Sequence, residues 1–176
     1  MISSANTIQS QALSEKTQKL VQAFEGLGTD EKLALLYLIY EKMGDSITPA
    51  APTATEPELA PLLMGDFYQL SHEDQLAVMR QIVNGEDSEY SRAYGALKEN
   101  NQLMVWYAWA QGMGDTVVDM PQGYQVTQSI NDALSQIEGL DFDEQISVLR
   151  TVASNMGYTD IQPIPSQAET GKTASL

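Results

Sequence analysis

LGTDEKLALLYLIYEKMG, residues 27–44, sets the fold class. Asp30 and Glu31 precede an apolar run that ends at Gly44. Acidic side chains in a first turn suit the partial positive charge of a helix N-terminus, so the pattern predicts a helix from about residue 30 to residue 43. Leu33, Leu36, Tyr37 and Tyr40 follow at spacings of three and four and share one face. Leu35, Leu38 and Ile39 make the other faces apolar, which predicts a central, buried helix. The opening pattern returns as LSHEDQLAVM (70–79) and LDFDEQISVL (140–149). Ser71 with Asp74, and Asp141 with Glu144, stand at capping spacing. Three ungapped copies predict a duplicated helical bundle.

Working outward, Ser14 caps a helix that runs to about Phe24 and is closed by Gly26 and Gly28. Residues 45–55 form a connection containing Pro49 and Pro52. Thr55 caps a helix ending near Phe67, with Pro57 and Pro61 confined to its first turn. Further helices are expected over about 72–84, 88–97, 101–116, 127–138 and 142–156. The last of these is expected to bury Phe142, Ile146, Leu149, Ala153 and Met156. Residues 119–126 read as a turn punctuated by Pro121 and Gly123. No alternating strand pattern with turn signals occurs. The expected architecture is all-α, about eight helices in bundles. An N-terminal arm (1–13) and a flexible tail (161–176) flank one helical domain (14–160).

The composition narrows the function. Of 176 residues, 43% are hydrophobic, enough for a substantial core. A formal net charge of −15 repels phosphate, which argues against nucleic acid and against an anionic membrane surface. The chain has no Cys, so disulfide, thiolate and zinc–thiolate chemistry are excluded. Its start lacks the pattern of a signal peptide. The apolar run 33–40 is far too short to span a bilayer. A cytoplasmic, non-embedded protein is expected.

Catalytic signals are absent. His72, the only histidine, falls in a helix first turn, where it is surface decoration rather than part of a triad. The acidic pairs are caps and solvated charge. No Gly-rich phosphate loop occurs. An enzyme is therefore not expected. What stands out is LMVWYAWAQGMGDTVVDM, residues 103–120, which holds both tryptophans. On a helix, Trp106, Ala110, Met113 and Val117 share one face. Two readings fit: a core helix, or the wall of a slot for a flat apolar ligand. The inward aromatics and methionines Tyr37, Tyr40, Met79, Trp106, Tyr107, Met113 and Met120 suit either one.

Residues from about 21 to 158 resemble the N-terminal, carotenoid-binding domain of the cyanobacterial orange carotenoid protein. The resemblance lies in LALLYLIYEKMGDSITPAAP (33–52), LMVWYAWA (103–110), MPQGY (120–124) and QISVLRTVASNMGY (145–158). No counterpart of that family's C-terminal regulatory domain is expected, so the chain is similar to the stand-alone helical carotenoid proteins. The resemblance implies two interleaved four-helix bundles with a ligand tunnel between them. A ketocarotenoid would lie in the tunnel: canthaxanthin foremost, with echinenone or 3'-hydroxyechinenone as alternatives. Tyr40 and Trp106 match the pair that sandwiches one terminal ring. Leu33, Leu103, Tyr107, Met79, Met113, Pro121, Tyr124 and Ile146 match tunnel-lining positions. Tyr37, Val83, Ala110 and Met120 complete the expected site, and Arg150 matches the arginine at the tunnel mouth. Tyr37 stands where the family has Trp, Ala110 replaces a Gly, Met120 an Ile, and Arg80 a small residue.

The expected function is non-covalent carotenoid binding for photoprotection, by quenching singlet oxygen and excitation energy or by carrying pigment. A stand-alone homologue of the regulatory domain is an expected partner. Docking to the phycobilisome, itself acidic, is disfavoured by the negative charge. A pigment-free helical interaction module is the alternative from another class. A monomer or weak dimer, in the cytoplasm or peripheral to the thylakoid, is expected.

Overall fold

A computed structural model of the chain describes residues 14–44 and 60–159. Among them are eight α-helices: α1 Glu15–Glu25, α2 Thr29–Met43, α3 Pro61–Met64, α4 His72–Val83, α5 Glu89–Gly95, α6 Glu99–Gly112, α7 Gln128–Glu138 and α8 Phe142–Ser154. A short 3-10 turn, Asp66–Gln69, joins α3 to α4. No strand occurs among the described residues, only an isolated bridge between Met113 and Val117.

Side-chain caps start most of these helices. Ser14, Ser71 and Thr127 accept from the backbone N–H three residues on, at 3.1–3.2 Å. Asp141 accepts from Glu144 N–H at 2.8 Å, and Glu144 returns a bond to Asp141 N–H. Each such cap contributes about 1 kcal/mol. Helix α1 packs on α7 and α8, and α2 packs on α7, which makes one bundle from the two ends of the chain. Helices α3 and α4 pack on α5 in the other. Contacts of α2 with α4 and α6, and of α6 with α8, join the two. The chain thus folds as two interleaved four-helix bundles.

The repeat has a structural basis, and it occurs four times rather than three. The N–H groups of Leu27, Leu70, Leu97 and Leu140 donate to the carbonyls of Phe24, Phe67, Tyr94 and Ile137, at 3.0–3.1 Å. Five residues beyond three of those leucines stand Gln75, Gln102 and Gln145. Each reaches back with its Nε2 to the same carbonyl, at 3.2, 3.1 and 3.0 Å. In the first corner Lys32 takes the place of Gln, 5.9 Å from the Phe24 ring centroid and 3.6 Å from Glu25. The fourth copy, LKENNQLMVW (97–106), lacks the acidic pair that marks the others in sequence. It keeps the Leu and the Gln, which are the residues that build the corner.

Several expectations change. Instead of a helix reaching Phe67, α3 is one turn long. It breaks at Gly65, where a Cβ would stand 2.7 Å from the Pro61 carbonyl. Thr55 and Pro57, the connection 45–59, the arm 1–13 and the tail from 160 onward lie outside the described residues. Helix α6 ends at Gly112, not near residue 116. Gly114, at φ +85°, turns the chain back so that Val117 N–H bonds the Gly112 carbonyl at 3.0 Å. Val117 is buried, but from a turn and not from the helix face. Phe142 is 51% exposed rather than buried, because Leu140 and Ile146 take the inward positions around the α8 N-terminus. In α2, Ala34, Leu35, Ile39 and Met43 are buried, whereas Leu33, Leu36, Tyr37 and Tyr40 are only half-buried.

Fully buried Gln75 also donates to the Thr116 carbonyl at 2.9 Å and accepts from Val118 N–H at 2.8 Å. Gln75→Leu is therefore expected to lower the unfolding free energy by about 2–3 kcal/mol, against about 1 kcal/mol for Gln102→Leu. Urea unfolding of both variants checks this, and equal losses would contradict it.

Candidate functional site

The half-buried face of α2 opens on two apolar cavities that share the lining residues Leu36 and Trp106. The larger holds about 690 Å³ of free space, counting the part open to solvent. Asp30, Leu33, Ala34, Leu36 and Tyr37 of α2 form one side of it, and Leu76, Met79 and Arg80 of α4 another. Trp106, Trp109 and Ala110 of α6 face them, and Met113, Val118, Met120, Pro121 and Tyr124 close the end. The smaller cavity, about 370 Å³, lies further along α2. Leu36, Ile39, Tyr40 and Gly44 meet Leu103, Trp106 and Tyr107 of α6 and Leu149 of α8 there. Leu36 and Trp106 line both and form the partition. The two cavities together follow α2, whose 15 residues span about 22 Å.

The aromatic wall is fixed from behind. Trp106 donates its indole N–H to the Tyr94 hydroxyl at 2.9 Å, and Tyr94 donates to the Ala153 carbonyl at 2.6 Å. Trp109 donates to the Leu63 carbonyl at 3.2 Å. Phe67 stacks on Trp109 with centroids 4.0 Å apart, and Trp109 meets Trp106 edge-on at 5.3 Å. In the lining of the smaller cavity Tyr40 meets Tyr107 edge-on at 5.1 Å. The indole N–H groups are satisfied inside the protein, so the rings offer the cavities apolar surface.

Polar groups gather at the N-terminal end of α2. Thr29 donates to Asn84 at 2.8 Å. Asp30 takes a bidentate pair from Arg80 at 2.9 and 3.0 Å. Glu31 accepts from Gly28 N–H and from Thr127, which hold its carboxyl below the ordinary range. Partial burial, then the charges of Glu31 and Asp30, raise the Tyr124 hydroxyl. Partial burial, then Glu41 and Asp119, raise Tyr37. Deep burial, only partly offset by the Trp106 hydrogen bond, pushes Tyr94 far above the ordinary tyrosine value. Among the described residues no cluster of acidic or histidine side chains could hold a metal.

Most of the expected site residues come together. Leu33, Tyr37, Met79, Ala110, Met113 and Met120 line the larger cavity with Pro121 and Tyr124. Tyr40, Leu103 and Tyr107 line the smaller, and Trp106 lines both. Val83 and Ile146 are buried in the core and line neither. Arg150 also lines neither and donates to Asn100 at 2.8 Å. Sequence reasoning missed Leu36, Leu76, Trp109 and Val118 as lining residues, and the role of Arg80 beside them. Leu36 was legible, since it shares its helix face with Leu33, Tyr37 and Tyr40. Trp109 was not, because only its stacking on Phe67 shows which side it takes.

An all-α domain with a long, aromatic-walled apolar slot between two bundles is the class this geometry defines. A family model described as "Orange carotenoid protein, N-terminal" matches residues 10–159. The chain belongs to this family of orange carotenoid protein N-terminal domains. It is 39% identical over 159 residues to an "Orange carotenoid-binding domain-containing protein" of Nostoc sp., covering 88% of this chain and 93% of that protein. It is 31% identical over 140 residues to the "Orange carotenoid-binding protein" of Synechocystis sp., covering 79% of this chain and 44% of that one. Thus it spans less than half of the Synechocystis protein. Among solved structures it is similar to the Red Carotenoid Protein of Anabaena (Nostoc) sp. binding canthaxanthin. The TM-score is 0.71 at 35% identity, over 81% of this chain and 99% of that one. The Orange Carotenoid Protein of the same organism binding canthaxanthin gives a TM-score of 0.77 at 28% identity, over 93% of this chain and 54% of that one. No helix among the described residues is long and apolar enough to cross a membrane.

Tyr94 supplies a test of the wall. Its folded pKa lies above the ordinary value of 10.0, so burial favours the neutral phenol. The stability this contributes is fully present below pH 10 and is lost as pH climbs from there toward the folded value, at up to about 1.4 kcal/mol per pH unit. Tyr94→Phe is expected to cost about 1–3 kcal/mol at pH 7, because the Trp106 N–H loses its partner. It is also expected to flatten the fall in stability between pH 10 and pH 11. Chemical unfolding across that range checks both, and parallel curves for the two proteins would contradict the assignment.

Proposed function

We propose that the slot between α2 and α6 holds a carotenoid, of the oxygenated, canthaxanthin-like kind, and that the protein is photoprotective. The observation that carries this reading is the half-buried face Leu33, Leu36, Tyr37 and Tyr40, opposite Trp106 and Tyr107. The protein leaves this apolar surface unfilled while holding its aromatic rings rigidly from behind. Similarity to two proteins solved with canthaxanthin supports it. A bound polyene supplies the light absorption and the release of excitation energy as heat. The side chains do the rest. Leu33, Leu36 and Met79 keep water out, Tyr40, Trp106 and Tyr107 stack and orient, and the Trp106–Tyr94 bond fixes the partition. No residue acts as acid or base.

Quenching of singlet oxygen and carriage of pigment between proteins both follow from such binding. A free homologue of the family's regulatory domain fits as exchange partner. Docking to an acidic antenna fits less well, since a net charge of −15 opposes long-range attraction. Production in a host that makes ketocarotenoids is the test. The expected outcome is a broad, red-shifted visible band that co-elutes with the protein and shortens the lifetime of singlet oxygen in solution. A colourless protein, folded and helical by circular dichroism, would contradict the reading.

A further inference from the structure

Asp30 and Arg80 are the only charged side chains that line either cavity among the described residues, and both stand at the α2 N-terminal end of the larger one. Asp30 consumes two of the guanidinium donors, Nε–H at 2.9 Å and one Nη2–H at 3.0 Å. A guanidinium carries five N–H donors in a fixed fork, so those on Nη1 stay unused while Asp30 holds the fork in place. Tyr124 lines the same end, and its hydroxyl has no hydrogen bond to any described residue. Beyond Asp30, Arg80 and Tyr124, the side chains at that end, from Leu33 and Met79 to Met120 and Pro121, are apolar. The Arg80 side chain is 46% exposed, so the pair stands at the mouth of the slot, and a hydrocarbon end group seated there would cover the unused donors and return nothing. An end group bearing a carbonyl or hydroxyl oxygen would accept from them.

We propose that Arg80, oriented by Asp30 and assisted by Tyr124, is a specificity-determining residue that selects carotenoids with an oxygen on the terminal ring. The inference rests on the carotenoid reading and refines it: the apolar length of the slot gives affinity, and this polar end gives the choice among pigments. The Tyr124 hydroxyl, like any tyrosine's, is protonated and so a donor at neutral pH, and partial burial and the neighbouring acids raise its pKa further. Hydrogen bonds to a charged donor discriminate more strongly than those between neutral groups, on the order of tenfold in affinity.

The experiment offers the purified apoprotein equal amounts of canthaxanthin and β-carotene, the same skeleton with and without ring oxygen, and quantifies the extracted pigments. The native chain is expected to hold canthaxanthin in about tenfold excess. Arg80→Met is expected to reduce that excess several-fold, Tyr124→Phe less so, and the double variant to take both pigments nearly alike. Arg80→Lys, which keeps a charged donor, is expected to retain part of the preference. Thermal unfolding of each apoprotein confirms folding, and the ratio is read only from folded variants. An excess unchanged in Arg80→Met and in the double variant would overturn the proposal, as would a native chain that takes both pigments equally. Failure of the native chain to take either pigment would overturn the carotenoid reading itself.

Discussion

Trp106 donates to Tyr94 and Tyr94 donates to the Ala153 carbonyl, so one run of hydrogen bonds ties α6 through α5 to α8. The two bonds lie among buried groups, where an unmade bond costs most. They also decide where the indole stands. With its N–H committed behind the wall, Trp106 presents ring surface to both cavities and holds the partition between them. Without that anchor the ring could turn to fill the slot, and the face of α2 opposite would close onto it as an ordinary core.

A protein that leaves an apolar face unfilled must be stable for other reasons. Here the buried apolar core supplies the bulk of the stability, and the four corners add to it. Each buried carbonyl at a corner receives the Leu N–H, and three of the four also receive a glutamine side chain. The corner bonds tie the end of one helix to the start of the next. Gln75 extends this by bonding both the 3-10 turn and the segment after α6. That segment carries Met113, Val118 and Met120 to the end of the slot. The closing residues are thus positioned by the same device that builds the fold.

The all-α class, the order of the helices and most of their ends were legible in the sequence, because caps and three-four periodicity are local signals. So was the lining face of α2, and the corner pattern was legible in three of its four copies. The fourth was hidden because Asn100 and Asn101 replace the acidic pair, although the Gln that matters is present. What local signals could not show is which apolar residues are left only partly covered. Leu33 and Leu35 look alike in sequence, yet Leu35 is fully buried while Leu33 borders the slot. Phe142 misleads in the opposite way, an apolar side chain at a helix start with no inward position left to take. The Arg80–Asp30 pair joins residues 50 apart, which periodicity does not connect. Val83 and Ile146 fit the helical pattern of a lining residue but belong to the core.

Leu36 lines both cavities and is only half-buried, so a larger side chain there can extend into the slot without displacing the core. The measurement that tests the account most directly is therefore the pigment content of Leu36→Trp, produced beside the native chain in a host that makes ketocarotenoids. A ligand lying along α2 predicts that pigment per chain falls by about tenfold or more while the apoprotein melts close to the native temperature. Native pigment content in a folded Leu36→Trp chain would place the ligand elsewhere and contradict the account.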